Sequence, residues 1–302
     1  MTLHPQAVAA LALWAAGPSV TDPGFGPEGI ESMRREAHAA AAREVTEEVG
    51  SLVQVDADGV PCRLHVPDSA TEQPRRVLVY LHGGGFVFGD LETHDGQARR
   101  LADRTRSAVL AVDYRRPPEH RFPAAPDDVD TVLRWLVAHA GELGLDPRRV
   151  VTVGDSAGGN LALVAALRNP GLLAATVLVY PFLDPSVSMP SYARPDGGLT
   201  RGEAAWYWAQ YAADERDTVD PDLAPMDSPA LDTVPPTLVQ VAGCDVLADE
   251  DLVLAARLAD AGVDVTVTTY DGMVHGFWRH PALFDAAETS LLEIATFVGR
   301  FA

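Results

Sequence analysis

Short apolar runs alternate with amphipathic stretches along this chain, and the alternation is its strongest structural signal. Runs of strand length, rich in valine, leucine and threonine, fall at 52–55, 61–66, 77–81, 108–112, 150–153, 174–179, 238–242 and 265–270. The first two read as a hairpin. Helix-compatible patterns occupy 98–106, 127–140, 160–167, 247–261 and 281–301, between or after the later strands. Strands alternating with helices predict an α/β fold whose mostly parallel sheet is covered on both faces. At 302 residues the chain is long enough to bury a large core.

Two stretches stand outside the alternation. Residues 184–228 are rich in proline, glycine and acids but contain Trp206, Tyr207, Trp208 and Tyr211, a spacing that predicts a helix packed through its rings. Residues 7–16 form an apolar run of signal-peptide length, yet no basic residue precedes it and the first one is Arg34. The run is too short to span a membrane, so it predicts an apolar helix laid against the fold.

Four of the strands end where chemistry can be built. The run 77–81 enters His82-Gly83-Gly84-Gly85-Phe86, and 150–153 enters Gly154-Asp155-Ser156-Ala157-Gly158-Gly159. The second carries G-x-S-x-G, in which small flanking residues let a serine project from a sharp strand-to-helix turn. On its own the pentad is weak evidence; the strand before it and the apolar helix pattern after it make Ser156 a candidate nucleophile. Such a serine needs a base, and the base needs an orienting carboxylate. The run 238–242 breaks at Gly243-Cys244-Asp245, and 265–270 breaks into Asp271-Gly272-Met273-Val274-His275. Asp245 and His275 thus leave successive strands at the sheet edge where Ser156 emerges, in the chain order Ser, Asp, His.

Competing partners are available. His4, His38, His120, His139 and His280 lie in helix-like or turn-like stretches suited to solvated or capping roles, and His82 is placed to brace the glycine run. Asp249, Glu250, Asp251 and Asp271 compete with Asp245, but 249–251 read as the acidic opening turn of a helix, where the dipole favours them. Backbone amides of Gly83 and Gly84, joined by Ala157, are the candidate donors for an oxyanion. Phe86, Phe88, Phe182, Trp206 and Trp208 are candidate walls of a substrate pocket.

These motifs resemble the hormone-sensitive-lipase-like branch of the α/β-hydrolases, the bacterial esterase family with H-G-G-G and G-D-S-A-G-G. Further segments are similar to it: Asp113-Tyr114-Arg115 with Glu119-His120 and Phe122-Pro123, then Thr93-His94-Asp95, Asp245-Val246-Leu247-Ala248-Asp249-Glu250, and His275-Gly276-Phe277. Arg116, Pro117 and Val246 depart from the family pattern. The resemblance implies an α/β-hydrolase core in two parts, 46–183 and 229–302, with a helical cap contributed by 1–45 and 184–228. It implies hydrolysis of short- to medium-chain carboxylic esters through an acyl-enzyme. Amidase, deacetylase and acyltransferase chemistry share the same triad, and a non-catalytic small-molecule receptor is a rarer alternative. A homodimer is compatible with the resemblance, although no residue argues for one.

Composition narrows the partners. A formal net charge of −20 disfavours nucleic acid, whose phosphates need basic patches. All 23 basic side chains are arginine, which excludes a catalytic lysine. Cys62 and Cys244 offer neither metal-ligand spacing nor a disulfide framework, so a reduced, cytoplasmic protein is expected. No dinucleotide fingerprint or P-loop is present; the expected partner is a small-molecule ester, with no cofactor, no metal and no membrane span.

Overall fold

A computed structural model describes residues 2–195 and 197–301. Its centre is an eight-stranded sheet in the order β1-β2-β4-β3-β5-β6-β7-β8. The strands are β1 (Ser51–Ala57), β2 (Val60–Val66), β3 (Arg75–Leu81), β4 (Ala108–Val112), β5 (Leu145–Asp155), β6 (Ala175–Val179), β7 (Thr237–Ala242) and β8 (Val265–Tyr270). β1 and β2 form an antiparallel hairpin, β2 runs antiparallel to β4, and every pairing from β4 to β8 is parallel. All eight expected strands are present. β5 starts earlier than its valine run because Leu145 pairs with Arg75 before a break in register.

Side chains of the central strands alternate between two cores. Val77, Val79 and Leu81 point to a cluster shared with α4 (Ala124–His139), α5 (Ala157–Arg168) and α7 (Ala248–Asp260). Leu78 and Tyr80 point to the opposite cluster, shared with α1 (Pro5–Trp14), α3 (Asp95–Thr105) and α8 (Asp285–Val298). Both faces are therefore buried, which is why these strands carry no polar alternation. α8 starts later than its apolar pattern, because 277–279 form a 3₁₀ turn and Leu283 and Phe284 then close turns on the His280 carbonyl. The N-terminal apolar run packs through Ala7 and Ala10 while Val8 and Leu13 stay exposed. Among the described residues no helix is long and apolar enough to cross a membrane.

The remaining helices, α2 (Pro27–Ala41) and α6 (Arg201–Tyr211), lie close to the catalytic edge of the sheet. Thr200 and Glu203 form a capping box that starts α6. The Ser19 hydroxyl donates to Glu203 at 3.0 Å and Phe25 packs edge-on to Trp206, tying the N-terminal segment to α6. Arg34 of α2 donates to the carbonyls of Val87 and Pro117.

Buried acids at the start of α7 differ from the sequence expectation of a solvated helix terminus. Glu250 is fully buried and accepts hydrogen bonds from the amides of Leu183 and Asp184 and from the Tyr192 hydroxyl. Asp251 is equally buried, and its carboxyl has no partner among the described residues. Burial, reinforced by Glu250 and Asp245, pushes the Asp251 carboxyl well above the usual carboxylate range. The native state then keeps a proton that the unfolded chain releases above a pH of about 4. The stabilising contribution of this proton is full below that pH and is lost as pH rises through the elevated native value. Asp251→Asn is therefore expected to raise the melting temperature relative to wild type by about 2–4 °C more at pH 8 than at pH 5. An identical shift at both pH values would show that this carboxyl does not titrate abnormally.

Candidate active site

Every candidate catalytic residue sits at the carboxyl ends of the parallel strands, where α/β sheets bind ligands. Ser156 follows the central strand β5 and caps α5 with φ 55° and ψ −118°. A non-glycine residue held there stores of order 1–3 kcal/mol, which the surrounding packing must hold in place. Gly158 makes the turn feasible, since a Cβ at that position would fall on the Leu81 carbonyl of β3. The Ser156 amide donates to the Val179 carbonyl of β6 at 2.9 Å, fixing the turn from the other side.

The turns after β7 and β8 bring the partners in. His275 Nε2 lies 3.0 Å from Ser156 Oγ, and His275 Nδ1 lies 2.6 Å from Asp245 Oδ2. Asp245 is wholly buried, and its other oxygen accepts from the Leu247 amide at 3.1 Å. Arg194 donates to the carbonyls of Gly243 and Asp245, holding that loop from outside. The histidine is placed by its own backbone amide, which donates to Gly197 at 2.8 Å. The competing acids lie elsewhere: Asp249 accepts from the Ser191 amide, Glu250 is bonded and Asp251 is buried without a partner among the described residues, as described above, and Asp271 is exposed.

The glycine run departs from its expected use at one position. Gly83 N–H donates to Asp155 Oδ1 at 3.0 Å, so this amide is engaged rather than open to an oxyanion. The amides of Gly84, Gly85 and Ala157 donate to nothing among the described residues, and Gly84 and Gly85 line the cavity over Ser156. The amides left unengaged are thus those of Gly84, Gly85 and Ala157, one residue further along the loop than the expected Gly83 and Gly84. Gly84 adopts φ 116° and lies where a Cβ would strike the Phe88 carbonyl, so only glycine fits there.

Asp155 was not singled out from the sequence, although it sits between Gly154 and Ser156. Its Oδ1 also accepts from Tyr80 at 3.0 Å, and burial raises its carboxyl above the ordinary range. His82 braces the glycine run as expected. Its ring stacks on Tyr114 at 4.3 Å, its Nδ1 lies 2.9 Å from the Gly83 carbonyl, and burial lowers it to about 3, so it stays neutral.

The cavity above Ser156 measures about 180 Å³. Of the five candidate wall residues only Phe182 lines it, joined by Tyr180, Leu199, Glu203, Tyr207 and Arg279. Phe86 and Trp208 are core residues: Phe86 stacks on Tyr211 at 3.7 Å and Trp208 packs on Phe182 at 4.4 Å. Phe88 and Trp206 stack on each other away from the cavity. Consecutive helix positions point about 100° apart, so Trp206, Tyr207 and Trp208 cannot share one wall, and Tyr207 is the one that faces the serine.

Residues 78–279 match a family model described as the alpha/beta hydrolase fold. The chain is 35% identical to an ethyl acetate hydrolase of Pseudomonas putida, with 97% of this chain and 98% of the relative covered. It is 34% identical to the esterase LipI of Mycobacterium tuberculosis, covering 86% of this chain and 85% of the relative. A solved structure of a hyperthermophilic esterase from the archaeon Pyrobaculum calidifontis superposes with a TM-score of 0.88 at 31% identity, covering 100% of both chains. Sheet order, nucleophile turn and sequence likeness agree, and the chain belongs to the α/β-hydrolase family, in its hormone-sensitive-lipase-like branch.

Proposed function

We propose that the protein is a serine carboxylesterase acting on short-chain esters. The observation that carries this reading is the unbroken relay from Ser156 through His275 to Asp245, set opposite three unengaged amides at Gly84, Gly85 and Ala157. Ser156 attacks the acyl carbon while His275 takes its proton and passes it to the leaving alcohol. Asp245 holds the imidazole with Nδ1–H toward itself and stabilises the imidazolium. The amides receive the developing oxyanion, where preorganised donors act most strongly. Water activated by His275 then releases the acid and restores the serine.

Chain length follows from the cavity. At about 180 Å³ the cavity is small beside the roughly 300–1,000 Å³ of sites for drug-sized ligands, which supports an ester with a short acyl chain. The name of the Pseudomonas putida relative is in keeping with such a substrate. We take 1–45 and 184–228 as a cap over this space, a division supported by the contacts of Ser19 and Phe25 with α6. The charge of −20 supports a small ester rather than nucleic acid as partner, and two free, buried cysteines fit a reducing compartment.

Turnover of p-nitrophenyl esters from acetate to palmitate tests the assignment. The kcat/KM is expected to peak at acetate to butyrate and to fall by about 10²-fold or more by the decanoate, as chains outgrow the cavity. A maximum at long chains would refute the size argument, and no turnover on any member from a folded protein would refute ester hydrolysis.

A further inference from the structure

His275 is held by more than the carboxylate and the serine. The ring of Tyr180 packs against its imidazole at a centroid distance of 4.9 Å, tilted by 57°. Both residues border the catalytic cavity beside Ser156. The Tyr180 ring also meets Phe277 edge-on at 5.7 Å, so it is wedged into the turn that carries the histidine. It is fully buried, and its hydroxyl has no hydrogen-bond partner among the described residues. What Tyr180 offers the site is therefore its ring.

The backbone marks this contact as more than core packing. Tyr180 has φ 35°, a region that bulky side chains rarely enter. Hydrogen bonds on both sides hold it there. The peptide before its ring is pinned twice: the Val179 carbonyl accepts from the Ser156 amide at 2.9 Å, and the Tyr180 amide donates to the Gln240 carbonyl of β7 at 2.7 Å. Two residues on, the Phe182 amide donates to the Ser156 carbonyl at 3.0 Å. The ring is thus tied to the nucleophile turn and to the strand that leads to Asp245. Strained residues persist only where their surroundings over-determine them, and they gather at functional sites. A position that served the core alone would accept an apolar side chain on a relaxed backbone.

In ester hydrolysis, the reading on which this inference rests, His275 takes the Ser156 proton and is a cation for as long as the tetrahedral intermediate lasts. A cation within about 6 Å of a tyrosine ring is attracted by the π system, more strongly where water is excluded. We propose that Tyr180 is a positioning residue for His275, and that its ring stabilises the imidazolium formed during turnover. The charged groups around the imidazole are Asp245 on Nδ1, with Asp155, Glu203 and Arg279 on the same cavity. Among the described residues Tyr180 is the one aromatic ring packed against it, so removing that ring leaves those charges in place.

The test compares Tyr180→Phe, Tyr180→Leu and fluorinated phenylalanines placed at position 180. Phenylalanine keeps the ring and is expected to hold kcat within about threefold of wild type. Leucine is expected to lower kcat on p-nitrophenyl butyrate about tenfold, with KM within about twofold. It should also move the acidic limb of kcat/KM down by about one pH unit, because a tenfold rate change and one unit are the same free energy. Fluorine withdraws negative charge from the ring and keeps its shape, so kcat should fall stepwise from one fluorine to five. That series decides the matter should the leucine variant fail to fold, as judged by thermal melting. NMR titration of the His275 ring reads the same displacement without turnover, so a wild type inactive on every p-nitrophenyl ester would refute ester hydrolysis and still leave the role of the ring measurable. An unchanged kcat in the leucine variant, a loss confined to KM, or a loss with leucine that fluorination does not reproduce would each overturn the assignment.

Discussion

Ser156→Ala is expected to lower kcat on p-nitrophenyl butyrate by about 10⁴- to 10⁶-fold, with a melting temperature close to that of wild type. The hydroxyl is the only atom lost, and it lies 3.0 Å from His275 Nε2 at a turn held by the Val179 carbonyl, which does not depend on it. The residual rate comes from the amides of Gly84, Gly85 and Ala157, which still stabilise an oxyanion formed by direct attack of water. Labelling with an organophosphate gives an independent readout: wild type should take up one phosphoryl group per chain and the variant none. A variant that turns over at more than a few per cent of the wild-type rate would remove Ser156 from the mechanism.

Asp245→Asn is expected to cost about 10⁴-fold in kcat with little change in KM, by analogy with the same substitution in a serine protease triad. Asp245 is fully buried and accepts from both His275 and the Leu247 amide. An asparagine keeps its carbonyl oxygen for Leu247 and turns its amide toward the ring. His275 Nδ1 must then accept, so Nε2 carries the proton and can no longer take one from Ser156. The loss should shrink at high pH, where hydroxide replaces general-base catalysis, and the pH–rate profile of the variant is the measurement that shows this. A small, pH-independent loss would instead assign the orienting role to another acid.

The central strands were legible because they are buried on both faces and so appear as nearly unbroken apolar runs, as at 77–81, 108–112 and 150–153. The relay was legible for a related reason: Ser156, Asp245 and His275 each stand just beyond such a run, and parallel strands bring those ends together. Gly83 was misplaced as a donor because its amide is used by Asp155, a residue 72 positions away that sequence spacing does not connect to it. Phe182 lines the cavity as expected, but the other four wall candidates do not, because aromatic type reports burial and not direction; Phe86 and Trp208 are spent in the core, and Tyr207 takes the position over the serine. Likewise, three acids in a row look the same whether they face water or the interior, and Glu250 is buried because two amides of the Leu183–Asp184 turn and a tyrosine hydroxyl receive it.

The hydrogen bond from Gly83 to Asp155 links the loop after β3 to the turn that carries the nucleophile. The Ser156 turn and the glycine loop consequently belong to one frame, anchored in the two central strands β3 and β5. Leu199, Glu203 and Tyr207, which close the cavity from above, all come from the insert at 184–228. Part of the cavity wall thus comes from a stretch of chain separate from the serine turn, while Tyr180, Phe182 and Arg279 complete it from outside the insert. The insert is not free of the chemistry, because its Gly197 and Arg194 hold His275 and the Asp245 loop, so any redrawing of it to admit a bulkier acyl group has to spare those two residues.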